Sequence, residues 1–332
     1  MTPMLLLNRR EVERLLELGR LIEALGPAMA ELSARRISMP VRIVTRVPEA
    51  RGLLAAMPVY LNSTRTLSTK LVSVFPENAT RGLPSHQALI LVFDAETGSP
   101  RALLDGTYIT AARTAAGSAL SARLLARPDA AALVIIGTGV QARAHAAALP
   151  LVRPIREIRV VGRDPQKAAR LAAEITATQG IKASAFEAAE RTFAGADIIC
   201  AATHAAEPVV KGAWLPPGAH VTSVGLNAEG REIDAEAVLK SRVVVETREA
   251  ALADGPGGAN DLKWPLRDGL MREEHIYAEV GEIISGAKPG RTSPAQITLY
   301  KSVGVAVQDA VAAHLVLQAA AEQGLGAEAE IN

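Results

Sequence analysis

The sequence predicts an α/β protein in which a doubly wound parallel sheet is inserted into an α+β domain. Three observations carry this. From residue 131 to 246 short apolar runs alternate with helix-forming stretches, the pattern of a parallel sheet wrapped by helices. Between residues 41 and 105, β-branched and aliphatic runs are divided by Pro, Gly and Asn, which reads as a mostly antiparallel sheet. Beyond the alternating region a long helix with apolar residues at 303, 307, 311 and 315 closes the chain and is read as returning to the first domain.

In order, residues 9 to 36 place Val12, Leu15, Leu16, Leu18, Ile22, Leu25, Met29 and Leu32 at helical spacing among Glu and Arg, giving one or two amphipathic helices. Four strands follow in "VRIVTRV", "GLLAAMPVYL", "LSTKLVSVF" and "ALILVFD", and "DAETGSPRALLDG" has hairpin chemistry. From Ala111 the Ala- and Leu-rich "AARTAAGSALSARLLA" reads as a connecting helix stopped by "RPD". Then come "AALVIIG", "EIRVVG", "ADIICAAT", "AHVTSVG" and "SRVVVE" as strands, with helices through "VQARAHAAAL" and "DPQKAARLAAEI". The closing helix ends at Gly324. The expected domains are residues 1–125, 126–300 and, returning to the first, 301–332.

Composition narrows the partners. Lys+Arg 36 nearly balance Asp+Glu 35 in 332 residues, so no strong field exists to attract nucleic acid or an anionic membrane. Aromatic residues are 3% of the chain, too few for base-stacking platforms. A small-molecule partner is expected. The single cysteine, Cys200, closes the apolar "ADIIC" and is read as a buried strand residue in a protein of the reducing cytoplasm. The N-terminal "MTPMLLLNRREVERLL" has neither a signal peptide's core nor a membrane span. His145, His204, His220, His275 and His314 lack ligand spacing, so no metal is expected.

"AALVIIGTGVQARAHAA" carries Gly137-x-Gly139-x-x-Ala142 between an apolar strand and a helix. The first Gly permits a tight turn, the second lets backbone approach a pyrophosphate, and the small third residue allows close helix packing. The helix N-terminus supplies N–H groups for the anion. The chain is therefore expected to bind a dinucleotide. At the end of the next strand, "RVVGRDPQ" puts Gly162 where an NAD site has an acid, with Arg163 beside it. Arg163 suits a 2′-phosphate and favours NADPH, with NADH possible; the other reading makes Asp164 the ribose acceptor.

These residues resemble the ornithine cyclodeaminase/mu-crystallin family along essentially the whole chain. The resemblance runs in order through "MPVRIVTRV", "AAMPVY", "STKLVSVF", "LPSHQALILVFDAETG", "LLDGTYITAARTAAGSAL", "GTGVQARAH", "VGRDPQ", "GADIICAAT", "PGAHVTSVG", "EVGEIISGAKPGR" and "LYKSVGVAVQDA". It is strongest to the mu-crystallin-like ketimine reductase branch. It implies a homodimer built through the N-terminal sheets, a Rossmann domain, a substrate-binding and dimerisation domain, a cleft between them, and NAD(P)H-dependent reduction of a C=N bond next to a carboxylate.

Carried over residue by residue, the resemblance assigns Arg42, Lys70 and Arg113 to the substrate carboxylate, with Lys70 as proton donor. It gives the cofactor Arg113, Thr114, Gly137, Thr138, Gly139, Val140, Gln141, Gly162, Arg163, Asp164, Thr203, Val224 and Ser302. The chemistry agrees: a guanidinium fork with an ammonium would orient a planar carboxylate, and a desolvated Lys beside Arg has a lowered pKa. His86 either lines the pocket or bonds a backbone carbonyl. Ser302 either belongs to a segment near the nicotinamide or caps the last helix.

The family's cyclodeaminases resemble one another in an Asp after "SVG", where this chain has Asn227, and an amide takes up no proton near neutral pH. Asn227 is then an orienting residue of the catalytic site. The expected activity is a simple imine reductase acting on a cyclic ketimine such as pyrroline- or piperideine-2-carboxylate, or on a keto acid plus an amine. The alternatives are an ornithine cyclodeaminase using Glu229 or water, and a non-catalytic NADPH-dependent ligand-binding protein.

Overall fold

The computed structural model describes residues 3–188 and 190–330. It divides into two units: one runs to Arg113 and resumes at Val305, and the other is Thr114–Gly304. The expected borders at 125/126 and 300/301 thus move to 113/114 and 304/305.

The first unit opens with β1 (Met4–Leu7), α1 (Arg9–Leu15) and α2 (Leu18–Ser33). Asn8 caps α1 reciprocally with Glu11, which fixes the break between strand and helix. Next come β2 (Ile43–Val47), β3 (Gly52–Leu61), β4 (Thr66–Val74), β5 (His86–Phe93) and β6 (Pro100–Asp105). Helix α3 (Gly106–Leu125) begins five residues before the expected Ala111. "GTYIT" looks strand-like, but Asp105 accepts from the Tyr108 N–H at 2.8 Å and starts the helix there.

In the second unit, β7 (Ala132–Ile136), α4 (Val140–Ala148), β8 (Glu157–Val161), α5 (Pro165–Gln179), β9 (Lys182–Phe186), α6 (Glu190–Phe193), β10 (Ile198–Ala201) and β11 (His220–Ser223) alternate. They lead to α7 (Ala235–Lys240), β12 (Arg242–Val245), α8 (Arg248–Leu252), α9 (Asn260–Arg267), β13 (Ile276–Glu279), α10 (Val280–Ile284) and β14 (Thr298–Lys301). The sequence reading missed β9, β13 and β14. All eight strands pair in parallel in the order β13-β12-β14-β11-β10-β7-β8-β9. Leu133 and Ile135 pack into one hydrophobic cluster and Val134 and Ile136 into another. With a side-chain period of two, this means that both faces are covered, as in a doubly wound sheet. Cys200 is buried in the first of these clusters.

The chain then returns to the first unit with α11 (Ala306–Gln323) and β15 (Ala327–Ala329). The first sheet has seven strands in the order β15-β1-β6-β5-β4-β3-β2, antiparallel apart from β1 against β6. Strands β1 and β15 were not expected. Helix α11 ends at Gly324, whose φ is +62°. Among the described residues no helix is long and apolar enough to cross a membrane.

Candidate active site

In the first unit the strand period decides which way Lys70 faces. On β4, Thr66, Ser68, Lys70 and Val72 point to the buried side. Lys70 stands opposite Met57 of β3 and Ile90 of β5, both buried. Its ammonium, 2% exposed, lies 2.8 Å from Oδ2 of Asp309 in the first turn of α11. Arg113 of α3, also buried, donates from Nε to the other oxygen of Asp309 at 3.0 Å and from Nη1 to Gln308 Oε1 at 3.1 Å. A guanidinium has five N–H donors, so Arg113 keeps donors beyond these two bonds.

Two buried cations therefore share one carboxylate, and the cluster carries an excess of positive charge. Burial pushes the Lys70 ammonium down to about 7, helped by Arg113 and Arg42 and opposed by Asp309. Burial pushes the Asp309 carboxyl up, but Arg113 and Lys70 together overcome it and its pKa falls. His86, at the start of β5, is lowered to about 4 by burial and by the charges of Lys70 and Arg113, so its imidazole is neutral near pH 7. The structure thus brings Lys70, Arg113 and His86 together, with Arg42 near enough for its charge to be felt. Sequence reasoning missed Asp309 and Gln308. Their signal was a lone polar pair inside "VGVAVQDAVAA", a run whose residues 305 to 313 are buried throughout.

In the second unit the glycine loop joins β7 to α4. Gly137 has φ +123°, and a Cβ there would lie 2.5 Å from the Ala202 carbonyl oxygen, so only Gly fits. Gly139 occupies the N-cap position of α4 and a Cβ on it would meet nothing within 4 Å. Val140 in the first turn is 63% exposed, and the buried Oε1 of Gln141 has no partner. Open space over a helix N-terminus, whose first N–H groups have no intrahelical partner, fits a dinucleotide pyrophosphate. A Cβ on Gly162, just after β8, would lie 2.7 Å from Thr138 Cγ2, so this glycine lets the loop close down on the neighbouring strand.

Arg163 is exposed. Asp164 caps α5, its Oδ1 accepting from the N–H groups of Gln166 at 2.9 Å and Lys167 at 3.1 Å; these backbone bonds hold its carboxyl below the usual range. Thr114 is buried in α3. Thr203 follows β10 and donates both its N–H and its hydroxyl to Glu232. Val224 follows β11, its N–H bonded to the Ala201 carbonyl.

Two expectations change. Ser302 does not cap α11, whose N-cap position is Val305; its hydroxyl donates to the buried Glu246 at 2.5 Å. Asn227 spends its amide on local backbone, donating to the His204 carbonyl at 3.0 Å and accepting from the Glu229 N–H at 2.9 Å. It shapes its own loop, which Asn260 holds from outside through the carbonyls of residues 227, 228 and 230.

The family model described as ornithine cyclodeaminase/mu-crystallin matches residues 2–324. The chain is 36% identical over 329 residues to a Delta(1)-pyrroline-2-carboxylate reductase of Bacillus cereus, covering 98% of this chain and 100% of that one. It is 38% identical over 300 residues to the ketimine reductase mu-crystallin of Mus musculus, covering 89% and 90%. Among solved structures, the Delta(1)-pyrroline-2-carboxylate reductase of Thermococcus litoralis, in complex with NADH and L-proline, is similar at a TM-score of 0.94 and 40% identity, covering 98% of this chain and 100% of that one. A match over nearly the full length, by sequence and by fold, leaves one conclusion: the chain belongs to the ornithine cyclodeaminase/mu-crystallin family.

Proposed function

We propose that the protein is an NAD(P)H-dependent imine reductase that converts a C=N bond next to a carboxylate into the amine of an amino acid. The observation that carries this is the pair of buried cations, Lys70 and Arg113, sharing the one carboxylate of Asp309. Such a cluster has room in its charge balance for one more anion, and an α-imino acid brings a carboxylate joined to an electrophilic carbon. The free donors of Arg113 and the charge of Arg42 hold that carboxylate, and neutral His86 offers a further hydrogen bond. The nicotinamide cofactor, when bound, supplies a hydride to the imine carbon. Lys70 gives its proton to the imine nitrogen, so the products are the amine and the oxidised cofactor. A pKa of about 7 suits a proton donor working near neutral pH.

The substrate is a cyclic ketimine such as pyrroline- or piperideine-2-carboxylate, or the imine of a keto acid and an amine. Asn227 supports stopping at one hydride transfer, since an amide engaged with backbone partners takes up no proton near neutral pH. NADPH is the favoured cofactor: Arg163 is exposed while Asp164 is engaged as a cap. Cys200, reduced and buried, suits a cytoplasmic protein. The sheet face opposite Lys70 supports a homodimer, because Ile43, Leu54 and Leu89 on it are 68%, 48% and 49% exposed.

The test is to follow NADPH absorbance with cyclic ketimines and with pyruvate plus methylamine. Oxidation with wild type, abolished in Lys70→Ala while NADPH still binds, is the expected result. Ammonia release from ornithine with no imine reduction would favour the cyclodeaminase instead.

A further inference from the structure

The strand order fixes where the two halves of a dinucleotide lie. Strand β7, which carries the Gly137 loop, has β8 and β9 on one side and β10, β11 and β14 on the other. In such sheets the pyrophosphate lies at the switch point and the two nucleotide halves spread over opposite sides. Arg163 and Asp164 follow β8, which assigns the adenosine half to that side and the nicotinamide half to the carboxyl ends of β10 and β11.

A buried carboxylate ties those two strand ends together. Glu232 is 2% exposed. Its Oε1 accepts from the Thr203 N–H at 2.6 Å and the Thr203 hydroxyl at 2.7 Å, and its Oε2 from the Ser223 hydroxyl at 2.7 Å and the Gly225 N–H at 2.9 Å. Four donors aimed at two oxygens leave no place for a proton, so the group is an anion. The direction of the Ser223 bond is settled by Lys301, whose buried ammonium donates to the same hydroxyl oxygen at 2.9 Å. Lys301 is itself paired with Asp261 at 2.9 Å. Asp261 in turn accepts the N–H groups of Glu232 and Ile233, both at 2.8 Å. Lys301 and Asp261 cancel, and the charge of Glu232 remains. Among the described residues no Lys or Arg forms an ion pair with it.

A buried, unpaired negative charge is costly even when hydrogen-bonded, and a nearby positive charge offsets that cost. The nicotinamide ring is neutral when reduced and cationic when oxidised, so only the oxidised form supplies one. We propose that Glu232 is a positioning residue of the nicotinamide pocket: it locks the backbone at 203 and 223–225, and its charge favours the oxidised over the reduced cofactor, assisting hydride departure. This rests on the nicotinamide cofactor of the proposed function.

The test is the ratio of dissociation constants for NADP+ and NADPH, with NADPH measured by its fluorescence and NADP+ by competition, on wild type, Glu232→Gln and Glu232→Asp. Loss of the charge in Glu232→Gln raises the ratio by about tenfold, the order expected when one buried charge no longer acts on a cationic ring. Glu232→Asp keeps the charge and therefore the wild-type ratio, even where the shorter side chain weakens both forms. A ratio in Glu232→Gln equal to wild type, or an equal shift in both variants, overturns the proposal while leaving the imine reductase reading intact. Wild type that binds neither form overturns both.

Discussion

Replacing Asp309 with Asn removes the one negative charge that Lys70 and Arg113 share, and the effect on Lys70 can be worked from the geometry. The Lys70 to Asp309 separation is 2.8 Å with both groups 2% exposed. At an effective dielectric of about 20 the attraction is about 6 kcal/mol, and breaking buried pairs by removing one partner costs about 3–5 kcal/mol. At about 1.4 kcal/mol per pKa unit, that lowers the ammonium by roughly 2–4 units. Wild-type Lys70 titrates at about 7. As a proton donor it is active in its charged form, so activity is present below that pKa and is lost as pH rises through it. In Asp309→Asn the alkaline limb moves down to about pH 5 or lower, and at pH 7 the charged fraction falls about fiftyfold. The assay is kcat/KM for NADPH-dependent imine reduction from pH 4.5 to 9, with NADPH affinity as the control that the second unit is intact. An alkaline limb that stays near pH 7 would show that Lys70 is not the acid or that Asp309 does not set it.

Arg163→Ala raises KM for NADPH by roughly 10- to 100-fold, the worth of a hydrogen bond to a charged group, and leaves NADH unchanged; equal effects on both cofactors would remove Arg163 from 2′-phosphate recognition. In Asn227→Asp the bond to the His204 carbonyl is lost at a cost of about 1 kcal/mol, and a coupled assay for ammonia release from ornithine reads whether the new carboxylate supplies the missing base. Acid lability follows from two buried histidines, since burial lowers His145 to about 4 and His220 to about 3. The unfolded chain binds these protons from about pH 6.5 downward and the folded chain does not. Stability is therefore full above pH 6.5 and falls by roughly 2–3 kcal/mol per pH unit near pH 5. Urea melts at pH 7, 6 and 5 measure this slope; a flat profile would mean that the histidines are charged in the folded state.

How much of this was legible depended on whether the signal was local. Gly137-x-Gly139 was readable because a turn and a helix N-terminus are made by neighbours in sequence. Lys70 was readable as an oddity because alternation on one strand assigns its face. Asp309, Glu232 and Lys301 were not, since their meaning lies in partners 239, 29 and 78 residues away: Lys70, Thr203 and Ser223. An Asp on a helix, taken alone, reads as a solvated acid. Strand β14, between β11 and β12 in the sheet, was lost for a similar reason, because "TLYK" is too short to declare itself and its place comes from neighbours far apart in the chain.

The pairing of β1 with β15 sets an order of events during synthesis. The second unit is one continuous stretch and has all of its own strands once residue 304 has been made. The first unit lacks its edge strand and, more seriously, Asp309 until α11 and β15 have followed the whole of the second unit. Before then Lys70 and Arg113 would be two like charges buried with no carboxylate between them, an arrangement that repels collapse. The pairing of both cations with Asp309 is thus completed only by α11, a helix made after the whole of the second unit.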